Sequence, residues 1–158
     1  MNDLLKSAIA AAGALAAAPG IASADDSADR AAIVRALSAY EAALNASDVK
    51  TVLTLYADDG VFMPQHSLPS VGTGAIRTAY EGVFAAIKLD VAFQIDEMMQ
   101  VAPDWAFVRT RSEGFVTFNA AGNRAPEANQ ELFIFKKADG ENWKIARYIF
   151  STTNPPRQ

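Results

Sequence analysis

Residues 83–96 read Val83-Phe84-Ala85-Ala86-Ile87-Lys88-Leu89-Asp90-Val91-Ala92-Phe93-Gln94-Ile95-Asp96, and within them the apolar rhythm changes. Upstream, Ile76, Tyr80, Val83 and Ile87 keep the three-to-four spacing of one helical face. From Leu89 onward Val91, Phe93 and Ile95 alternate with Ala92, Gln94 and Asp96, the two-residue rhythm of a strand. Helices before this point and strands after it predict an α+β domain and argue against an alternating α/β one.

Working toward the N-terminus, Gly72-Thr73-Gly74 opens the third helix. Val61-Phe62-Met63 reads as a short strand ended by Pro64. A second short helix places Val49, Val52 and Tyr56 on one face, with Ser47 as its N-cap and Asp58-Asp59-Gly60 as its stop. Ile33, Leu37, Tyr40 and Leu44 form the buried stripe of a first helix that ends near Asn45. Toward the C-terminus, Pro103-Asp104 turns the chain into a long extended run, Trp105 to Phe118. A loop over 119–123, a strand from Asn129 to Lys136, a turn at Asp139-Gly140 and a last strand from Trp143 to Ser151 follow. Asn154-Pro155-Pro156 cannot extend that strand, because proline lacks the ladder donor. Even spacing implies antiparallel hairpins.

The chain has 158 residues, enough for one core. Its net charge is -4, which disfavours nucleic acid and anionic membrane surfaces as partners. No cysteine and one histidine remove disulfides, thiolate nucleophiles, cysteine-based zinc sites and any site needing two imidazoles. Residues 1–24 read as a secretory signal peptide: Lys6, an apolar run from Ala8 to Ala18, a Pro19-Gly20 break and Ala22-Ser23-Ala24 before Asp25. That run is too short and alanine-rich for a good membrane span, so stable insertion is not expected. Residues 25–30 then form a short polar segment, 31–153 a single domain and 154–158 a tail, with a periplasmic or secreted location. Gly72-Thr73-Gly74 lacks the third glycine of a dinucleotide fingerprint, and no phosphate loop or nucleophile elbow occurs. Chemistry is left to carboxylates, tyrosines, arginines and His66, with no cofactor.

Three segments carry a family likeness: Tyr40-x-Ala42-Ala43-Leu44-Asn45-x-x-Asp48, Tyr56-Ala57-Asp58-Asp59 and Gly72-Thr73-Gly74-Ala75-Ile76-Arg77-x-x-Tyr80. They resemble the N-terminal half of the ketosteroid isomerases. Glu131-Leu132-Phe133-Ile134-Phe135 and Ala146-Arg147-Tyr148-Ile149-Phe150 are similar to that family's last two strands. The resemblance spans about Ile33 to Phe150 and places the chain in the nuclear transport factor two-like superfamily, with its SnoaL-like branches. It implies three N-terminal helices packed on a strongly curved antiparallel sheet, a cone-shaped, cystatin-like α+β roll enclosing an apolar pocket, in a homodimer. A homodimer through the outer sheet face also suits Ala106-Phe107-Val108 and Leu132-Phe133-Ile134, which are apolar on both faces.

By the same resemblance Tyr40 falls on the family's oxyanion-donor tyrosine and Glu131 on its protonated carboxylic acid. Tyr56, Phe62, Met63, Tyr80, Phe84, Phe133 and Phe150 are implied as the apolar lining. The family's general base aligns with Pro64, or with Met63, and neither can accept a proton. Several positions keep two readings. Tyr40 sits on a buried stripe and is core or pocket. Glu131 shares a face with Phe133 and Phe135, which a carboxylate tolerates only if paired, neutral or in a pocket. Trp105, Phe107, Arg109, Arg111, Glu113 and Phe115 share one strand face. An aligned isomerase strand turns that face to the pocket, with Glu113 as a proton carrier; a bulge turns its charges to solvent. His66 is an exposed loop histidine or a substitute base. Two functions follow. One is a cofactor-free isomerase, lyase or hydrolase acting on a small hydrophobic carbonyl or aromatic compound, without ketosteroid isomerase activity. The other is a non-catalytic exported module that binds a small hydrophobic molecule or a protein.

Overall fold

The structure, a computed structural model, describes residues 24–138, 140 and 142–155. The expected signal peptide through Ser23 and Asp139 of the expected turn lie outside the described residues. Three helices, α1 (Ala24–Ala46), α2 (Val49–Leu55) and α3 (Gly72–Ala86), accompany six strands. These are β1 (Tyr56–Met63), β2 (Ser70–Val71), β3 (Ile87–Ala102), β4 (Trp105–Phe118), β5 (Arg124–Ala138) and β6 (Asn142–Thr152). The helices pack on the concave side of one curved, open sheet of order β2-β1-β6-β5-β4-β3, as an α+β roll requires. At about 3.3 Å per residue, β3 with its 16 residues would span roughly 50 Å if flat. A register shift between Ile95 and Glu97 bends it. Gly114 of β4 lets β3 come close: a Cβ there would sit 2.1 Å from the Asp90 carbonyl oxygen.

The change of rhythm near Leu89 marks a real boundary, with α3 ending at Ala86 and β3 following at once. Ile33, Leu37, Tyr40 and Leu44 are all buried, as their spacing requires, beneath Phe133, Phe135, Ile145 and Tyr148 of the sheet. Four local expectations are corrected. The sheet is mixed, because β1 runs parallel to β6. Asp58-Asp59-Gly60 lies inside β1 and does not stop a helix. Asp48, not Ser47, caps α2: its carboxylate accepts from the Thr51 backbone N–H at 3.1 Å, while Ser47 takes a left-handed turn at φ 55°. β5 begins five residues before Asn129, and Pro126 stands within it.

Helix α1 also serves the free edge of the sheet. β3 is the terminal strand, and Asn45 bonds both polar groups of Val91, donating to its carbonyl at 2.8 Å and accepting from its N–H at 2.9 Å. Glu41 accepts from the Phe93 N–H at 2.7 Å, and Arg30 donates to the Met98 carbonyl at 3.1 Å. These side chains satisfy an edge that would otherwise present unpaired backbone. At the N-terminal end of α1, buried Asp29 accepts from the Trp143 indole at 2.9 Å and pairs with Lys137 at 2.9 Å. Helix, β5 and β6 are thereby fastened together.

Candidate functional site

All four tyrosines of the chain are buried, and three of their hydroxyls form a chain in the core. Tyr40 comes from α1, Tyr80 from α3, Tyr56 from the start of β1 and Tyr148 from β6. The Tyr80 hydroxyl bonds the Tyr56 hydroxyl at 3.0 Å and also bonds that of Tyr40. Tyr148 packs edge-on to Tyr40 and stacks on Phe133 with ring centroids 4.2 Å apart. Burial pushes all four phenols well above their ordinary range, so each stays a neutral O–H at any working pH.

Tyr40, Tyr80 and Tyr148 form one side of the most enclosed of the described cavities, whose volume is about 160 Å³. Phe62, Phe93, Phe150 and the aliphatic groups of α3 and β3 make its apolar wall. Its polar edge is Ser112 of β4 with Asn129 and Glu127 of β5. The antiparallel register accounts for this edge: Thr110 faces Glu131, Ser112 faces Asn129 and Gly114 faces Glu127. The Asn129 side-chain N–H donates to Glu127 Oε1 at 3.0 Å and reaches Ser112 Oγ at 3.5 Å. Asn129 Oδ1 is buried and has no partner. Glu131, 4% exposed, accepts from the Thr110 hydroxyl at 2.5 Å and from the Ser112 hydroxyl. Burial raises its carboxyl above the usual carboxylate range, although the two hydroxyl donors oppose the rise.

The candidate residues separate into three groups. Tyr40, Phe62, Tyr80 and Phe150 line the cavity. Tyr56, Phe84 and Phe133 stand behind it: Tyr56 through its bond to Tyr80, Phe84 against the Tyr80 ring and Phe133 beneath Tyr148. Glu131 also stands behind, with Ser112 between its carboxylate and the cavity. The third group lies away from the cavity. Arg109, Arg111 and Glu113 point to the convex face, because the concave face of β4 carries Ala106, Val108, Thr110, Ser112 and Val116. The concave face lies beneath the helices, and an unpaired charge buried there is costly, so these three charged groups go outside. There Arg109 pairs with Asp96 at 3.2 Å and Glu97 at 3.3 Å, and Arg111 also pairs with Asp96. His66 is exposed in the β1–β2 loop, and Pro64 rather than Met63 borders the cavity.

Sequence reasoning missed Ser112, Glu127, Asn129 and Tyr148. Counting back from Glu131 in steps of two reaches Asn129 and Glu127, but Pro126 argues against a strand there. Among the described residues no three His, Asp or Glu side chains gather as a metal site, and no helix is long and apolar enough to cross a membrane.

A family model described as a SnoaL-like domain matches residues 37–148. Among solved structures, the chain is similar to a ketosteroid isomerase-like protein from Erwinia carotovora atroseptica SCRI1043. That match has 39% identity over 79% of this chain and 96% of the other, with a TM-score of 0.76. A type 2 hexachlorocyclohexane dehydrochlorinase shares the fold at 14% identity, over 82% of this chain and 88% of that one, with a TM-score of 0.73. So does a domain with a cystatin-like fold from Nostoc punctiforme PCC 73102, at 14% identity, 81% and 79% coverage and a TM-score of 0.66.

Proposed function

Since the chain belongs to the SnoaL-like domain family, we propose that it is a cofactor-free acid–base enzyme of the isomerase or lyase kind. Its substrate is a small, single-ring carbonyl or aromatic compound. The cavity carries this reading. A volume near 160 Å³ is close to that of a cavity known to hold benzene, ~150 Å³, and below the several hundred Å³ usual for drug-sized ligands. One ring fits it; the four fused rings of a steroid do not.

Chemistry of this kind needs stabilisation of a developing oxyanion in a site closed to water. The tyrosine chain can supply it: with Tyr40 donating to the ligand oxygen, Tyr80 is left to donate to Tyr40 and Tyr56 to Tyr80. Each hydroxyl polarises the next, and raised phenol pKa values keep all three protonated. Glu131 acts one step back, fixing the Ser112 hydroxyl. Export with cleavage after Ala24, and a homodimer through the convex sheet face, complete the proposal. Met99, Phe115, Leu132 and Ile149 support the second, since each leaves a third or more of its surface to solvent.

Titration with 4-nitrophenol, followed by its absorbance, tests the reading. Saturable binding that weakens about tenfold in Tyr40→Phe is expected, together with no binding or isomerisation of a 3-oxo-Δ5 steroid. Steroid turnover at a rate comparable with that of ketosteroid isomerases would refute it. Binding of 4-nitrophenol without turnover of any single-ring ketone would favour the non-catalytic module.

A further inference from the structure

Any proton transfer at this cavity needs an acceptor, and by the family resemblance the position where ketosteroid isomerases carry theirs is Pro64, on the cavity wall, or Met63, neither of which accepts a proton. Glu113 faces outward and His66 is exposed in its loop. Glu131 has both carboxylate oxygens occupied by Thr110 and Ser112. Among the residues that line the cavity, one carboxylate remains: Glu127.

Its surroundings suit the task. Glu127 borders the enclosed cavity on one side and, with Gly114, Phe115 and Pro126, a shallow open cleft on the other. A base in such a wall can take a proton from a bound molecule and exchange it with water. Asn129 holds the carboxylate by its N–H, at 3.0 Å from Oε1, which leaves Oε2 for the ligand.

We propose that Glu127 is the proton acceptor of this enzyme and that Asn129 positions it. The proposal rests on the acid–base reading of the cavity. In the step, the α-carbon C–H bond breaks and its proton forms an O–H bond on Glu127. The C–H electron pair becomes the C=C bond of an enolate, and the carbonyl π pair moves to oxygen, where Tyr40 donates. Return of a proton from Glu127 to carbon closes the cycle with no oxidant or reductant.

Deuterium exchange tests this with cyclohexanone, incubated in D₂O and read by mass spectrometry. The wild type exchanges α-hydrogens above the buffer rate. Glu127→Gln loses on the order of 10²–10⁴ in kcat and binds 4-nitrophenol within about twofold of wild type. Glu127→Asp, which keeps the carboxylate but shortens its reach, loses about tenfold and serves if the glutamine variant misfolds. Asn129→Leu lowers kcat far more than it raises KM, a split that simple destabilisation does not give. Exchange at the wild-type rate in Glu127→Gln overturns the assignment. So does a wild type that binds 4-nitrophenol and exchanges nothing. A wild type that does neither removes the enzyme reading itself.

Discussion

Substituting the three chained tyrosines by phenylalanine, one at a time, should give unequal losses of stability. Tyr80 is the middle member, bonded to Tyr40 on one side and to Tyr56 at 3.0 Å on the other. Tyr56→Phe or Tyr40→Phe removes one hydrogen bond and leaves Tyr80 with its other partner, a cost of about 1 kcal/mol. Tyr80→Phe removes both bonds and orphans two hydroxyls. Tyr40 borders the cavity, where a water can reach it; Tyr56 is 5% exposed and does not line the cavity. Leaving a buried hydroxyl unpaired costs about 1–3 kcal/mol, so Tyr80→Phe should cost about 3 kcal/mol in total. The ring survives in every variant, so stacking of Tyr80 on Phe62, centroids 4.7 Å apart, does not enter the difference. Urea unfolding followed by fluorescence of Trp105 and Trp143 measures this at constant m-value. In thermal melts the losses correspond to roughly 12 °C against 4 °C, at ~4 °C per kcal/mol for a domain of this size. Adding Tyr56→Phe to Tyr80→Phe should cost nothing or restore some stability, because it deletes the orphaned hydroxyl. Equal losses in all three single variants, or a fully additive double variant, would refute the chain as the organising contact of the cavity.

Two further outcomes are expected. Asp29→Asn should lower stability by about 1–3 kcal/mol at pH 7. Burial alone would raise the Asp29 carboxyl, but bonds from Trp143, Lys137 and Gln100 outweigh it and hold it below the ordinary aspartate range. A depressed folded-state pKa gives stability that is present above the unfolded value and lost as pH falls through the folded one. The gap between variant and wild type should therefore narrow in urea titrations as the pH is lowered below the ordinary aspartate range, and a gap independent of pH would contradict the pairing. Native mass spectrometry of protein exported from a bacterial host should show twice the mass of a chain beginning at Asp25, and Ile149→Lys on the convex face should halve it; an uncleaved or monomeric wild type would count against the exported dimer.

Local periodicity carried most of the fold. The buried stripe of α1, the boundary between α3 and β3, the turn at Pro103-Asp104 and the full extent of β4 follow from spacing and from the backbone limits of proline and glycine. The errors have local causes as well. Asp58-Asp59-Gly60 looks like a helix stop, yet it forms the irregularity between Tyr56 and Val61, where the register of β1 against β6 shifts and the strand continues on either side. The strand read from Asn129 begins at Arg124, and β5 carries Pro126 opposite Phe115.

The site divides along the same line. Sequence by itself determined the inventory: no thiol, a single histidine and four tyrosines. It also determined that Tyr40 shares a buried stripe, because helical period is a property of neighbours in the chain. Which face of β4 turns inward was decided only by the tertiary structure. A strand's two faces differ by one residue of register, and both faces of β4 carry apolar and polar groups, so alternation alone could not choose between Arg109, Arg111 and Glu113 and the set Thr110, Ser112 and Gly114. Packing chose, because the helices cover the concave face and an unpaired charge buried there is costly. The same pairing with β5 then brought Ser112, Asn129 and Glu127 to one edge of the cavity, a contact set by cross-strand register and invisible to any count along a single segment.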